Sequence, residues 1–82
     1  MYLAKIIVTL RKSILDPQGK AVHHALDSLG MNAVSEVRMG KYVEMKVNSS
    51  SKEEAESVTE NACRKLLANP VMEDFLYSVE KL

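Results

Sequence analysis

The fold turns on VSEVRMGKYVEMKV, Val34 to Val47. Val34 to Met39 and Tyr42 to Val47 each alternate with period two, and the Gly40-Lys41 pair between them is short enough to turn one strand back on the next. The stretch is expected to be a β-hairpin with Arg38-Met39-Gly40-Lys41 at its tip and Gly40 supplying a positive φ. Val37 and Met39 share one face of it, as do Val43, Met45 and Val47. Glu36, Arg38, Tyr42, Glu44 and Lys46 point the other way.

Upstream, Tyr2 to Leu10 places Tyr2, Ala4, Ile6, Val8 and Leu10 on one face and Leu3, Lys5, Ile7 and Thr9 on the other, a strand with apolar groups on both sides. Asp16-Pro17 then opens a helix over 17–29, since the carboxylate can accept orphan amides and proline at the first position loses no bond. Ala21, Val22, Ala25, Leu26 and Leu29 recur at helical spacing, and Gly30 can take the left-handed conformation that ends the helix. Downstream, Ser51 and Glu54 have capping-box spacing ahead of a helix whose stripe is Ala55, Val58, Ala62, Cys63 and Leu66, stopped by Asn69-Pro70. Phe75, Tyr77 and Val79 alternate against Leu76, Ser78 and Glu80 as a last strand. The order βαββαβ predicts one α+β domain over 1–82, a two-layer sandwich of ferredoxin-like type or a close variant, with an antiparallel four-stranded sheet and both helices on one face. Leu3, Ile7 and Leu76 then fall on the open face among opposite charges, a surface suited to protein association, so a homodimer or higher oligomer through sheet contacts is expected.

At 82 residues the chain can bury only about 60 to 65% of its unfolded surface, so partners are in a position to supply stability. Eleven basic residues balance eleven acidic ones, which removes the field that draws a polyanion and argues against nucleic acid. A single cysteine makes no internal disulfide, and neither a secretory signal nor an apolar stretch near 18 residues is evident, so the expectation is a soluble cytoplasmic protein without a membrane partner.

Catalytic chemistry has few candidates. Cys63 lies well inside the second helix, away from the helix N-terminus or cation that makes a reactive thiolate, and reads as a small buried hydrophobe. His23 and His24 lie about 100° apart on a helix and cannot converge on one ion. Asp27 is four positions from His23 and three from His24, allowing a hydrogen bond or weak ion pair. Glu53, Glu54, Glu56 and Glu60 look like a solvated helix face, with Arg64 four residues beyond Glu60. Capping accounts for much of Asp16-Pro17-Gln18-Gly19, but glycine in a first helical turn costs up to ~1 kcal/mol relative to alanine. Gly19 therefore points to a close backbone approach, expected from another chain. Arg38 and Tyr42 belong to the residue types that anchor interfaces. No catalytic, cofactor or metal residue is assigned.

Three runs carry a resemblance: Leu15 to Val22 (LDPQGKAV), Val37 to Tyr42 (VRMGKY) and Cys63 to Phe75 (CRKLLANPVMEDF). Together they resemble the PurS family, small subunits of phosphoribosylformylglycinamidine (FGAM) synthase. The resemblance implies a non-catalytic subunit of an ATP-dependent ligase of purine biosynthesis. That ligase converts formylglycinamide ribonucleotide (FGAR) and glutamine into FGAM and glutamate. It also implies as partners a glutaminase subunit that releases ammonia and a large synthetase subunit that binds ATP, magnesium and FGAR, with the small subunit bridging them and assisting ammonia transfer. Matching motifs makes Asp16, Pro17, Gln18, Gly19, Arg38, Gly40 and Lys41 the candidate assembly positions. Phe75 stands where family members often carry tyrosine, so no hydroxyl acts there. The same topology also serves RNA-binding modules, small-ligand regulatory domains and small acyl-phosphate hydrolases. The scarcity of aromatics stands against the RNA-binding module and the absence of glycines in Arg11 to Leu15 against the hydrolase, while a small-ligand regulatory domain stays open as the alternative.

Overall fold

A computed structural model describes all 82 residues. Tyr2–Leu10 forms β1, Pro17–Ser28 α1, Gly40–Val47 β2, Lys52–Ala62 α2 and Glu73–Lys81 β3, and a single π-helical turn, Cys63–Leu67, follows α2. The sheet has three strands in the order β2-β1-β3, with β1 central and antiparallel to both neighbours.

The four-stranded expectation is corrected at Val34 to Met39, which joins no ladder. Both edges of β1 are already taken, and this segment uses its polar backbone groups elsewhere: Met39 N–H donates to Asp16 Oδ2 at 2.7 Å, and the Val34 carbonyl lies 2.8 Å from His23 Nε2. Gly40-Lys41 is likewise no turn. Gly40 opens β2 opposite Thr9, and the only glycine with positive φ is Gly30, at 84°. Gly40 is needed for another reason: a Cβ there would sit 2.7 Å from the Val8 carbonyl oxygen.

α1 forms where the sequence places it, and for the same reasons. The Asp16 carboxylate caps it by accepting from Gly19 N–H at 3.0 Å, and Pro17 takes the first position. At its end Met31 N–H bonds the Leu26 carbonyl and Gly30 N–H the Asp27 carbonyl, a Schellman motif around left-handed Gly30. What differs is its packing. α2 lies across β3 and β1, whereas α1 does not pack on the sheet, so the expectation of both helices on one face holds for α2 alone. The molecule measures 51 × 27 × 14 Å with a radius of gyration of 16.2 Å, against about 12 Å for a compact chain of this length.

The core sits between α2 and the sheet: Ala4, Ile6 and Val8 of β1, Val47, Val79, and Ala55, Cys63 and Ala68 from the helical side. The α2 stripe is rotated from the one expected. Ala55, Thr59 and Cys63 are buried, while Val58 and Leu66 face outward, Leu66 at 82% exposure. Small side chains let the helix approach the sheet closely. Thr59 can join them because its hydroxyl donates to the Ala55 carbonyl at 2.8 Å. The π turn, closed by Ala68 N–H on the Cys63 carbonyl, adds a residue and shifts the phase of everything after Cys63.

Candidate functional site

All three sequence runs meet at one end of the molecule, where β1 finishes and α1, β2 and β3 begin. Asp16 is the centre. One carboxylate oxygen caps α1 and the other takes Met39 N–H, so the carboxylate ties the helix start to the segment entering β2. These amides, Gly19 first and Met39 second, hold its carboxyl below the usual aspartate value of 3.8, against the opposing effect of desolvation. Arg38 Nη2 donates to the carbonyls of Arg11 at 2.8 Å and Ile14 at 3.0 Å, fastening the same segment to the loop after β1.

Gly19 completes this clasp. A Cβ there would collide with the Val37 carbonyl oxygen and lie 2.8 Å from Asp16 Oδ2. The close approach expected at Gly19 is real, but it comes from the chain's own Val37 rather than from another chain. The third run joins through Lys41, whose Nζ lies 3.3 Å from the Leu67 carbonyl and 3.8 Å from Glu73 Oε2. Arg11 joins it as well, donating to the carbonyls of Pro70 and Val71 and to Asp74 Oδ1. Sequence reasoning missed Arg11; its one signal is its place directly after a nine-residue strand, where a long cation can bind the turn entering the neighbouring strand.

Of the seven candidate positions, Asp16 and Gly19 are buried and turned inward, while Pro17, Gln18, Arg38, Gly40 and Lys41 are exposed. Gln18, Gly40 and Lys41 border one shallow cavity of about 260 Å³. Arg38 borders another of about 240 Å³ beside Lys20 and His23. A larger groove of about 490 Å³ runs along the start of β3, where Arg64 lies 5.7 Å above the Phe75 ring and Phe75 stacks on Tyr77. His23 keeps the expected neighbour, with Asp27 Oδ2 3.8 Å away, and also binds the Val34 carbonyl. Cys63 is fully buried, and desolvation, then the Glu60 charge, pushes its thiol above the usual range. That is the environment of an inert thiol.

The open face of the sheet is a second surface. Its register sets Tyr42, Ile7 and Leu76 side by side across the three strands, exposed by 57%, 49% and 74%. Polar rows flank them. Lys5 pairs with Glu80 at 2.9 Å, which raises the lysine pKa, and Tyr42 donates to Glu44 at 2.9 Å, which raises that of the phenol. The predicted membership of this face, Leu3, Ile7 and Leu76 among charges, is what the pairing register produces.

The family model described as "PurS: Phosphoribosylformylglycinamidine (FGAM) synthase" matches residues 3–81. The chain belongs to the PurS family. Phosphoribosylformylglycinamidine synthase subunit PurS of Bacillus subtilis is 46% identical over 82 residues, spanning 100% of this chain and 96% of that protein. The B. subtilis PurS structure in its C2 crystal form superposes with a TM-score of 0.89 at 47% identity, covering 99% of this chain and 100% of that one. A chain of the PurLQS structure from Thermotoga maritima matches with a TM-score of 0.82 at 31% identity, covering 100% and 99%. The PurS resemblance carried by the three runs thus extends over nearly the whole chain, and those runs are the residues that build the clasp.

Proposed function

We propose that this chain serves as the accessory subunit of FGAM synthase in purine biosynthesis, holding the glutaminase and synthetase subunits together while ammonia passes between them. ATP, magnesium and FGAR are handled on the synthetase subunit, and no bond is made or broken by a side chain of this one. The observation that carries the reading is the PurS family match over residues 3–81, together with an apolar row, Tyr42-Ile7-Leu76, left bare on the sheet. A coupler needs such surfaces more than it needs a pocket. Ammonia is protonated in bulk water and then no longer nucleophilic, so aligning two active sites and excluding solvent raises the useful concentration at the second.

The chain's partners in this reading are those two subunits and further copies of itself, meeting through the open face of the sheet and the exposed positions Pro17, Gln18, Arg38, Gly40 and Lys41. Asp16 and Gly19 act from behind by holding those positions in place. No helix is long and apolar enough to cross a membrane, and a cytoplasmic site of action follows from the pathway. RNA binding fits poorly, since the open face carries one aromatic ring, Tyr42, whose hydroxyl is engaged by Glu44.

Reconstitution tests the proposal. Purified glutaminase and synthetase subunits are assayed for glutamine-dependent FGAM formation with this chain, without it, and with the Ile7→Asp/Leu76→Asp double variant. The chain should raise the rate and the double variant should not. An unchanged rate and unchanged association on adding the native chain refute the function.

A further inference from the structure

From the free outer edge of β3 we infer that a partner protein docks by strand addition: an extended apolar segment carrying lysine or arginine pairs its backbone with Phe75 to Lys81 and becomes the sheet's fourth strand. The partner is one of the two subunits named under the accessory reading, so its identity, though not the edge itself, rests on that reading.

The first observation is the direction of the backbone groups. Arg11 N–H donates to the Met72 carbonyl and Leu82 N–H to the Met1 carbonyl. Bonded and non-bonded pairs alternate along an antiparallel ladder, so in this register Asp74, Leu76, Ser78 and Glu80 are the β3 residues bonded to β1. Phe75, Tyr77, Val79 and Lys81 therefore turn their N–H and C=O groups outward, and β3 has no strand on that side. Glu73, the next residue of the same parity, is closed off by the turn before it, its N–H donating to the Asn69 carbonyl at 2.7 Å. From Phe75 to Lys81 the open edge runs about 20 Å, the length of an ordinary strand. It has neither the proline nor the bulge that commonly blunts such an edge, since the register is unbroken from Glu73 to Lys81.

The second observation is the groove beside it. The residues whose backbone faces outward place their side chains on the helix side, where the groove of about 490 Å³ runs between the start of β3 and the end of α2. Phe75 and Tyr77 form one wall, and Glu60, Arg64 and Ala68 stand on the helical side. A strand added here has somewhere to put every second side chain, which is how edge pairing acquires specificity.

The third observation is charge. Glu60, Glu73 and Asp74 line the groove against Arg11 and Arg64, and Arg11 is already spent on Asp74 and the carbonyls of Pro70 and Val71. Glu56 lies one turn before Glu60, and both carboxylates act on the Tyr77 phenol, whose pKa is raised by desolvation first and by these charges second. A basic segment suits this lining. A second copy does not: two β3 edges paired about a two-fold axis set both α2 helices on one face and bring Glu56 and Glu60 of each copy together, like charge against like.

Amide hydrogen exchange decides it, followed residue by residue in this chain alone and after saturation with purified synthetase subunit or purified glutaminase subunit. Strand addition predicts that the Phe75, Tyr77 and Val79 amides slow by about 100-fold or more in one of the complexes, while those of Leu76, Ser78 and Glu80, already bonded to β1, change least. Tyr77→Pro removes an outward N–H and no bond to β1, a position where proline is tolerated, and should weaken that complex at least about 10-fold. Tyr77→Ala keeps the N–H and should weaken it less. Glu56→Lys/Glu60→Lys, which leaves the strand untouched, should weaken it about 10-fold at low salt, and decides with the exchange data should the proline variant unfold. A complex that forms and raises turnover while Phe75, Tyr77 and Val79 exchange as fast as before overturns strand addition and leaves the accessory reading standing. Protection that appears in the chain alone and grows with its concentration puts a second copy on the edge and likewise overturns it. No association with either subunit overturns both.

Discussion

Replacing Gly19 with alanine sets two opposed effects against each other, and the structure says which wins. In an open helix the change gains up to about 1 kcal/mol. Here the new methyl would run into the carbonyl oxygen of Val37, a backbone atom that cannot rotate away, and would crowd Asp16 Oδ2 at 2.8 Å and Cγ at 3.1 Å. A relaxed separation is roughly 3.5 Å, so the helix start and the Val37 segment must part by about an ångström. That movement takes the Met39 N–H to Asp16 Oδ2 bond, now 2.7 Å, beyond hydrogen-bonding range. Forced overpacking of this kind costs about 1–3 kcal/mol and the broken bond to the carboxylate about 1 kcal/mol more, leaving a net loss of about 1–3 kcal/mol after the helical gain. At about 4–8 °C per kcal/mol for a domain of this size, Tm should fall by roughly 5–25 °C in thermal circular dichroism at fixed protein concentration. Gly30→Ala is the control, because nothing lies within 4 Å of its Cβ position and only its φ of 84° opposes the change; it should cost about 1 kcal/mol. A Gly19→Ala protein as stable as the native one, or more so, refutes the steric argument.

Two further outcomes follow from the ionisable groups. Asp16 binds its amides as a carboxylate and its pKa is depressed in the folded chain, so its contribution is complete above the ordinary aspartate value of 3.8 and is lost as pH falls through the depressed one. In urea titrations the stability difference between native chain and Asp16→Asn should therefore stay level from neutral pH to about pH 5 and shrink below about pH 4; a difference undiminished in strong acid contradicts the assignment. Cys63 is fully buried with its thiol pushed up. It should react with thiol reagents at least about 100-fold more slowly in the native than in the denatured chain. Cys63→Ala should cost about 1 kcal/mol without lowering glutamine-dependent turnover in the reconstituted synthase, and loss of that turnover from a folded variant would return the thiol to the chemistry.

What was legible in the sequence was what depends on neighbours along the chain. The Asp16-Pro17 start and Gly30 stop of α1 involve residues at most five apart, and they form as read. The open-face members on β1, β2 and β3 followed from period two, while Glu36 and Arg38, expected beside them, lie on no strand. Val34 to Met39 misled because alternation marks an extended segment and says nothing about whether a ladder partner is free; its Met39 amide is bound by Asp16 and its Val34 carbonyl by His23 instead. The α2 stripe was misplaced because period 3.6 assumes an unbroken α-helix and an apolar core side. The π turn breaks the first assumption, and Thr59, satisfied by Ala55, breaks the second. At the candidate site, the family resemblance picked out Asp16, Gly19, Arg38 and Gly40, but not the reason for them. Whether a glycine faces its own chain or a foreign one is a question of tertiary distance, and only the Val37 and Val8 carbonyls answer it.

The α1 stripe is the instructive failure, because every local statement about it was correct and the global one was not. Spacing gives an apolar face, and the usual inference assigns that face to the chain's own core. That inference presumes the chain is its own complete folding unit. Only 11 of the 82 residues here are buried, and the arm carrying the stripe is pinned away from the sheet by the very residues, Asp16 and Gly19, that mark the family's first run. A clasp that holds an apolar helix off its own core leaves that stripe in solvent, where it adds nothing to the stability of the isolated chain; a partner that covered it would link folding to assembly by mass action.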